Sequence, residues 1–143
     1  MTHQTYRLTR AQLWVPRLLL ATAALHVAVA AAVPNAWGAI ARAGFFDVLG
    51  GHDDRQLALY FGILALPLAM AGTTARWMLR TTGRIPAQLG WWLIAMGAPI
   101  AVLDPVSGAW LLLGIGWLAV AAGRRPARVD VGTARPQVAA DVA

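Results

Sequence analysis

The side chains in this chain that could do chemistry are few and far apart. His26 stands inside the apolar run "ATAALHVAVA", where an ionisable group must find a partner and marks a functional position by default. Asp104 and Ser107 interrupt "AVLDPVSGAW", with Trp110 closing the stretch. Tyr60 lies about a turn into the apolar run that starts near Leu57, and "GGHDDRQ" adds His52, Asp53 and Asp54. An aspartic acid desolvated beside hydrocarbon keeps its proton to higher pH, while an imidazole accepts one elsewhere; such a pair could isomerise or cyclise an alkene or epoxide. His26 as base and Asp104 as acid are therefore the candidate catalytic groups. His26, Tyr60, Asp104, Ser107, Trp110, His52 and Asp53 are the candidate ligand-binding residues.

Each of these residues also has a plainer account. A neutral imidazole can hydrogen-bond across a bundle. Tyr60 and Trp110 suit interfacial anchors. Asp53 and Asp54 suit a helix N-terminus, where the dipole favours negative charge, and Asp104 before Pro105 can simply end a helix.

Other chemistries are excluded more firmly. The chain has no cysteine, so thiolate metal sites, disulfides and cysteine nucleophiles are absent. His26, His52 and the aspartates have acceptable ligand types but lack the tight spacing of a zinc motif. A bis-histidine haem would need a second embedded histidine, and His52 falls in a connection. There is no nucleotide loop, no serine elbow and no glutamate for paired-carboxylate work. No metal and no cofactor is expected.

The elements that must position these residues follow from composition. Of 143 residues, 59% are hydrophobic and only 13% charged, outside the range of an ordinary soluble domain. A helix crossing the hydrocarbon of a bilayer needs about 20 mostly apolar residues. Four segments approach that length, from about Leu13 to Val33, Leu57 to Trp77, Pro86 to Leu103 and Gly108 to Ala122, the last two lengthened by flanking tryptophans.

All twelve basic residues are arginine, and their distribution sets an orientation. Ten fall in the N-terminal flank, the second connection and the tail; Arg42 and Arg55 alone fall in the first connection, and none in the third. The positive-inside rule then puts both termini in the cytoplasm. The net charge of +6 is explained by these flanks, and no nucleic-acid partner is expected. A rival reading of residues 7–36 is a cleaved secretory signal, which would leave three helices.

The expected fold is thus an all-α integral membrane protein: an antiparallel bundle of four transmembrane helices over residues 1–123, followed by a disordered basic cytoplasmic tail, 124–143. "DPVS" reads as a tight hairpin with Ser107 as N-cap of the last helix. Residues 34–55 are too long for a turn; Trp37, Ile40, Phe45 and Phe46 suggest a short interfacial helix ended by Gly50 and Gly51, able to act as a lid. Small residues should mark the packing faces: Ala21, Ala24, Ala28 and Ala31 or Ala32 in the first helix, Gly90, Gly97 and Ala101 with Asp104 in the third, Ser107, Gly114 and Ala121 in the fourth. Pro67 and Pro99 should kink facing helices and open a cavity. One polar residue from each helix would then meet in the outer half.

"RQLALYFGILALPLAMAG" and "GRIPAQLGWWLIAMGAPIAVLDPVSGAWLLL", following the central-histidine helix, resemble an uncharacterised bacterial family of small four-helix membrane proteins, a domain of unknown function. Pro86, Leu89, Gly90 and Trp91, with Pro105, Val106, Ser107, Gly108 and Trp110, carry most of the likeness. More distantly the layout is similar to DoxX-like four-helix proteins, some linked to quinone or thiol redox systems. The resemblance implies an architecture in the bacterial inner membrane and no activity.

Three functions are compatible with this inventory. The foremost is a module that binds a lipid, quinone or isoprenoid in the outer half of the bundle. The others are a membrane-embedded isomerase or cyclase using Asp104 and His26, and a structural or regulatory subunit that docks a membrane partner or a second copy through its small-residue rows.

Overall fold

A computed structural model describes residues 6–124 and 128–129. The chain is all-α apart from one short strand pair: β1 (Tyr6–Arg7), α1 (Arg10–Ala32), α2 (Ala36–Arg42), α3 (Asp53–Thr82), α4 (Ala87–Leu103), α5 (Ala109–Gly123) and β2 (Arg128–Val129). Most of the expected basic tail lies outside the described residues. Within it, Arg128 and Val129 pair antiparallel with Arg7 and Tyr6, which joins the first and last described residues.

Local chemistry explains where α1 begins. Thr9 accepts a hydrogen bond from the Gln12 backbone N–H, and the Gln12 side chain accepts one from the Thr9 N–H, so two otherwise orphaned donors of the first turn are satisfied reciprocally. Gln12 is fully buried and also donates from Nε2 to the Gly83 carbonyl at 3.4 Å. Gly83 has φ +66° and closes α3, a conformation that costs glycine nothing. One side chain therefore joins the start of α1 to the connection between α3 and α4.

The helices pack in the order α3, α1, α5, α4: α1 lies along α3 on one side and α5 on the other, and α4 lies along α5. The core comprises Val15, Leu19 and Ala23 of α1, Leu68 and Leu79 of α3, Leu93 of α4, Ile115, Ala119 and Ala122 of α5, and Ile85 from the connection. Pro67 and Pro99 lie in helices that pack chiefly on different partners, so they do not face each other across one seam. Both prolines are exposed.

The expected packing rows hold in one helix and shift in two. Gly90, Gly97 and Ala101 are buried, as their sevenfold and fourfold spacing predicts. A Cβ on Gly90 would lie 2.4 Å from the Gly116 carbonyl oxygen, and one on Gly116 would lie 2.8 Å from that of Gly90. The two backbones touch where α4 crosses α5. In α5 the buried line is therefore Ala109 and Gly116, with Gly123 against Ala87, while Gly114 has open space around it and Ala121 is exposed. In α1 the alanines 21, 24, 28, 31 and 32 are all exposed, and Leu19, Ala23, His26 and Ala30 run along the inward stripe, spaced four, three and four. Leu20 and Leu19 close on Gly72 of α3, where an added Cβ would lie 2.9 Å from Leu20 Cγ and 3.2 Å from Leu19 Cβ.

The connection of residues 33–52 contains the expected short helix, but α2 ends at Arg42, so Phe45 and Phe46 lie beyond it and are exposed. Ala43 closes it in the αR region, seven residues before the first of the glycines expected to do so. Ser107 is not the N-cap of α5; Gly108 is, and the Ser107 hydroxyl donates to the Asp104 carbonyl at 2.6 Å while accepting from the Ala109 N–H at 3.5 Å.

Two helices, Arg10–Ala32 and Asp53–Thr82, are long and apolar enough to cross a membrane; α4 and α5 are shorter apolar helices of 17 and 15 residues. Large apolar side chains are widely exposed, including Leu66 at 69%, Val102 at 77% and Leu103 at 85%.

Candidate functional site

Charge divides the molecule into two ends. Arg10, Arg17, Arg76, Arg80, Arg84 and Arg124 lie at the start of α1, the end of α3 and its connection, and the end of α5. Every described aspartate, Asp47, Asp53, Asp54 and Asp104, lies toward the opposite end, with Arg42 and Arg55. No ion pair forms among the described residues. The chemistry-bearing candidates belong to the acidic end, and each has a definite environment.

His26 is half-buried on the inward stripe of α1. Its Nδ1 lies 2.8 Å from the Thr22 carbonyl oxygen. A carbonyl only accepts, so Nδ1 is the donor in this bond. The ring packs on Phe61 of α3, with centroids 5.1 Å apart and planes tilted by 31°. Thr22 in turn donates its hydroxyl to Leu18.

Tyr60 follows on the next residue position from Leu59 but is 55% exposed, and its hydroxyl has no partner among the described residues. Asp104 closes α4 as its C-cap, with φ −134°, and is exposed rather than turned into the bundle as its register predicted. The turn that follows it draws its polar groups inward: Ser107 bonds the Asp104 carbonyl, and Trp110 Nε1 donates to the Pro105 carbonyl at 2.9 Å. Trp110 therefore stitches its own hairpin. His52 is the N-cap of α3 and Asp53 and Asp54 fill its first turn, the dipole-compatible arrangement; all three are exposed.

The structure thus does not assemble these candidates. No hydrogen bond joins the side chains of His26, Tyr60, Asp104 and Trp110, and no group of three metal-ligating side chains occurs among the described residues. An acid–base couple between Asp104 and His26 has no contact to support it.

What the acidic end does contain is a groove of about 430 Å³. Val27, Ala30 and Ala31 of α1 form one wall, Leu59, Gly62, Ile63 and Leu66 of α3 the other, and Trp37 of α2 the end. Apart from the backbone this lining offers no polar group except the indole N–H, and that donates to the Ala30 carbonyl at 2.8 Å. The bond fixes Trp37 over the end of α1. The loop beyond α2 is anchored too, since Arg55 donates to the Val48 carbonyl and Gln56 Nε2 to that of Leu49. The lid expected in this connection is therefore held down by three side-chain bonds to backbone.

Gly62 and Ala30 make the groove. A Cβ on Gly62 would meet Ala30 and Trp37 at 3.8 Å, ordinary contact, so the absence of side-chain volume there leaves space without forcing backbones together. Sequence reasoning named Trp37 for the short helix and Ala31 for a packing row, but none of the eight lining residues as part of a site. They carry no chemical signal, and in an alanine-rich α1 the small residue Ala30 that faces Gly62 does not stand out.

A protein-family model described as a family of unknown function, DUF6463, matches residues 10–126. No curated protein and no solved structure matches the chain. The matched stretch runs from the capped start of α1 past the end of α5 and includes both walls of the groove: the chain belongs to the DUF6463 family.

Proposed function

We propose that this protein is a four-span bacterial inner-membrane protein with both termini in the cytoplasm, and that it holds the apolar chain of a lipid, quinone or isoprenoid in the groove at its outer end. The single observation that carries the ligand reading is the groove itself: a space of about 430 Å³, within the usual range of ligand sites, walled by apolar side chains and closed at one end by a tryptophan that is hydrogen-bonded in place.

Several features support the membrane part. Between Arg55 and Arg76, α3 has twenty uncharged residues, which at about 1.5 Å each span about 30 Å, the hydrocarbon thickness. Exposed tryptophans recur near the basic end of every long helix: Trp14 in α1, Trp77 in α3, Trp91 and Trp92 in α4, Trp117 in α5. Such a belt suits a headgroup interface, with arginines on its aqueous side. Strands β1 and β2 tie the termini on one side, as an even number of crossings requires. The likeness to DoxX-like proteins enters this reading as layout alone, because the chain offers no thiol.

The test is a substitution that fills the groove. At Gly62 an added Cβ makes only ordinary contacts at 3.8 Å, and with the side chains of Ala30 and Trp37 rather than with backbone, so Gly62→Leu should fill the groove while the helices still pair. Protein extracted in mild detergent should carry a co-purifying amphiphile detectable by mass spectrometry, and G62L should carry at least tenfold less with an unchanged elution profile. Equal loads in both proteins, or none in the native one, would remove the groove from the account.

A further inference from the structure

Both walls of the groove continue past it, on the same flank of the α1–α3 seam, to an arginine. On α3, Leu59, Gly62, Leu66, Ala69, Thr73 and Arg76 are spaced alternately three and four, which keeps them on one face of the helix. On α1, Ala31, Val27, Ala24, Leu20 and Arg17 keep to one face in the same way. Leu59, Gly62, Leu66, Val27 and Ala31 line the groove, so the faces that hold it are the faces that carry Arg17 and Arg76. The two helices run antiparallel, with Ala30 near Gly62 and Gln12 bonded to Gly83. Leu20 closes on Gly72. Arg17 is three residues before Leu20 and Arg76 four after Gly72, so both stand about 5 to 6 Å nearer the basic end, at one level.

The strip between groove and arginines offers no free donor, because Thr73 turns its hydroxyl back to the Ala69 and Met70 carbonyls. The arginines do offer donors. Both are exposed, and no described residue hydrogen-bonds to either guanidinium. Arg17 Cζ stands 5.8 Å from the centroid of the Trp14 ring, which steadies the cation through the ring face and leaves its N–H edge open. No described carboxylate lies at this end to neutralise the pair. The outer end is the reverse: it holds the four described aspartates, and its two arginines are engaged with backbone, Arg42 with the Gly38 carbonyl and Arg55 with that of Val48. An anionic head is therefore favoured at the basic end and disfavoured beside the groove.

Length then selects the chain. From Arg76 to Leu66, the near edge of the groove, is ten residues or about 15 Å, the thickness of one leaflet. From Arg76 to Leu59, at its far edge, is about 26 Å, and from Arg17 to Ala31 about 21 Å. A chain filling one leaflet from the basic side stops where the groove begins. A longer one enters it.

We infer that the occupant is an isoprenoid phosphate, an anionic amphiphile with a chain longer than one leaflet, lying along this flank with its head at Arg17 and Arg76 and its chain in the groove. This rests on the groove reading above and narrows it to a charged, long-chain class whose head is on the cytoplasmic side. Arginine suits a phosphate because its planar fork gives charge-assisted, bidentate hydrogen bonds.

The experiment counts bound ligand by native mass spectrometry on the full chain in mild detergent, with heptaprenyl phosphate, heptaprenol, geranyl phosphate and inorganic phosphate as probes. Heptaprenyl phosphate should bind about tenfold more tightly than heptaprenol or geranyl phosphate, as one charge-assisted bond implies, and inorganic phosphate should not displace it. Arg17→Gln with Arg76→Gln should abolish its advantage over the alcohol, Gly62→Leu its advantage over the short chain. Arg124→Gln, at the end of α5 and off this flank, should leave all affinities unchanged. Heptaprenol binding as tightly as its phosphate, with both weakened by Gly62→Leu, would overturn the inference and leave the groove standing. Geranyl phosphate binding as tightly, displacement by inorganic phosphate, or an equal loss in Arg124→Gln would also overturn it, showing a head held without its chain or a diffuse charge effect. If no prenyl probe binds, both the inference and the groove reading fall.

Discussion

His26 and Trp37 show how differently two side chains can announce themselves. An imidazole in an apolar helix is visible from sequence because its cost must be offset somewhere. What sequence could not supply was the answer: the partner is the Thr22 carbonyl in the same helix, a local bond that needs no other span. Asp104, Tyr60 and Ser107 were legible as polar interruptions but not as a site, because helix register gives direction only within a helix. At a helix end, where Asp104 adopts φ −134°, that register no longer applies. Trp37 was legible as part of a short helix in the first connection; that its indole N–H donates to the Ala30 carbonyl was not. Trp37→Phe keeps most of the ring but frees the Ala30 carbonyl, and should lower stability by about 1 kcal/mol. Limited proteolysis should then cleave between α2 and α3 faster than in the native chain, while the remaining connections keep their resistance.

At the level of helices, the four main elements were legible to within a few residues except where charge extends them. α3 continues past the apolar run at both ends, to Asp53 and Thr82, because arginine and threonine are compatible with a helix that leaves the hydrocarbon. The capping pair Thr9 and Gln12 was also present in sequence as a T-x-x-Q signature and accounts for α1 starting at Arg10. Packing faces were legible only where glycine made them unambiguous. Gly90 and Gly97 identified the α4 face, whereas an alanine-rich helix such as α1 offers small residues in several directions, and the row chosen by count proved to be outward. The glycines also give a sharp pair of predictions. Gly90→Ala drives a Cβ into backbone at 2.4 Å and should destabilise the α4–α5 pair by about 1–3 kcal/mol, read as a lower thermal midpoint and loss of monodisperse protein. Gly114→Ala, in open space, should be neutral or stabilising by up to about 1 kcal/mol, since alanine favours helix.

For the whole molecule, two asymmetries coincide: most described arginines and five of the seven tryptophans toward one end, the described aspartates and an apolar groove toward the other. In lipid, apolar exposure carries no cost, and helices associate through close backbone approach, which is what Gly90, Gly116 and Gly123 provide. The absence of native cysteine makes sidedness directly measurable. In intact cells an impermeant thiol reagent should label Asp53→Cys, and should label Arg80→Cys only after the membrane is opened. The reverse pattern would invert the protein and put the groove at the cytoplasmic face.

The most direct measurement is photolabelling in native membranes with a diazirine on the apolar chain of a lipid or isoprenoid, followed by peptide mapping. The account predicts labels concentrated on residues 27–31 and 59–66 and lost from both in Gly62→Leu. Labels spread evenly over the apolar exterior, with Val102 and Leu103 as heavily marked as Val27 and Ile63, would show that lipid merely surrounds the protein and that nothing is held.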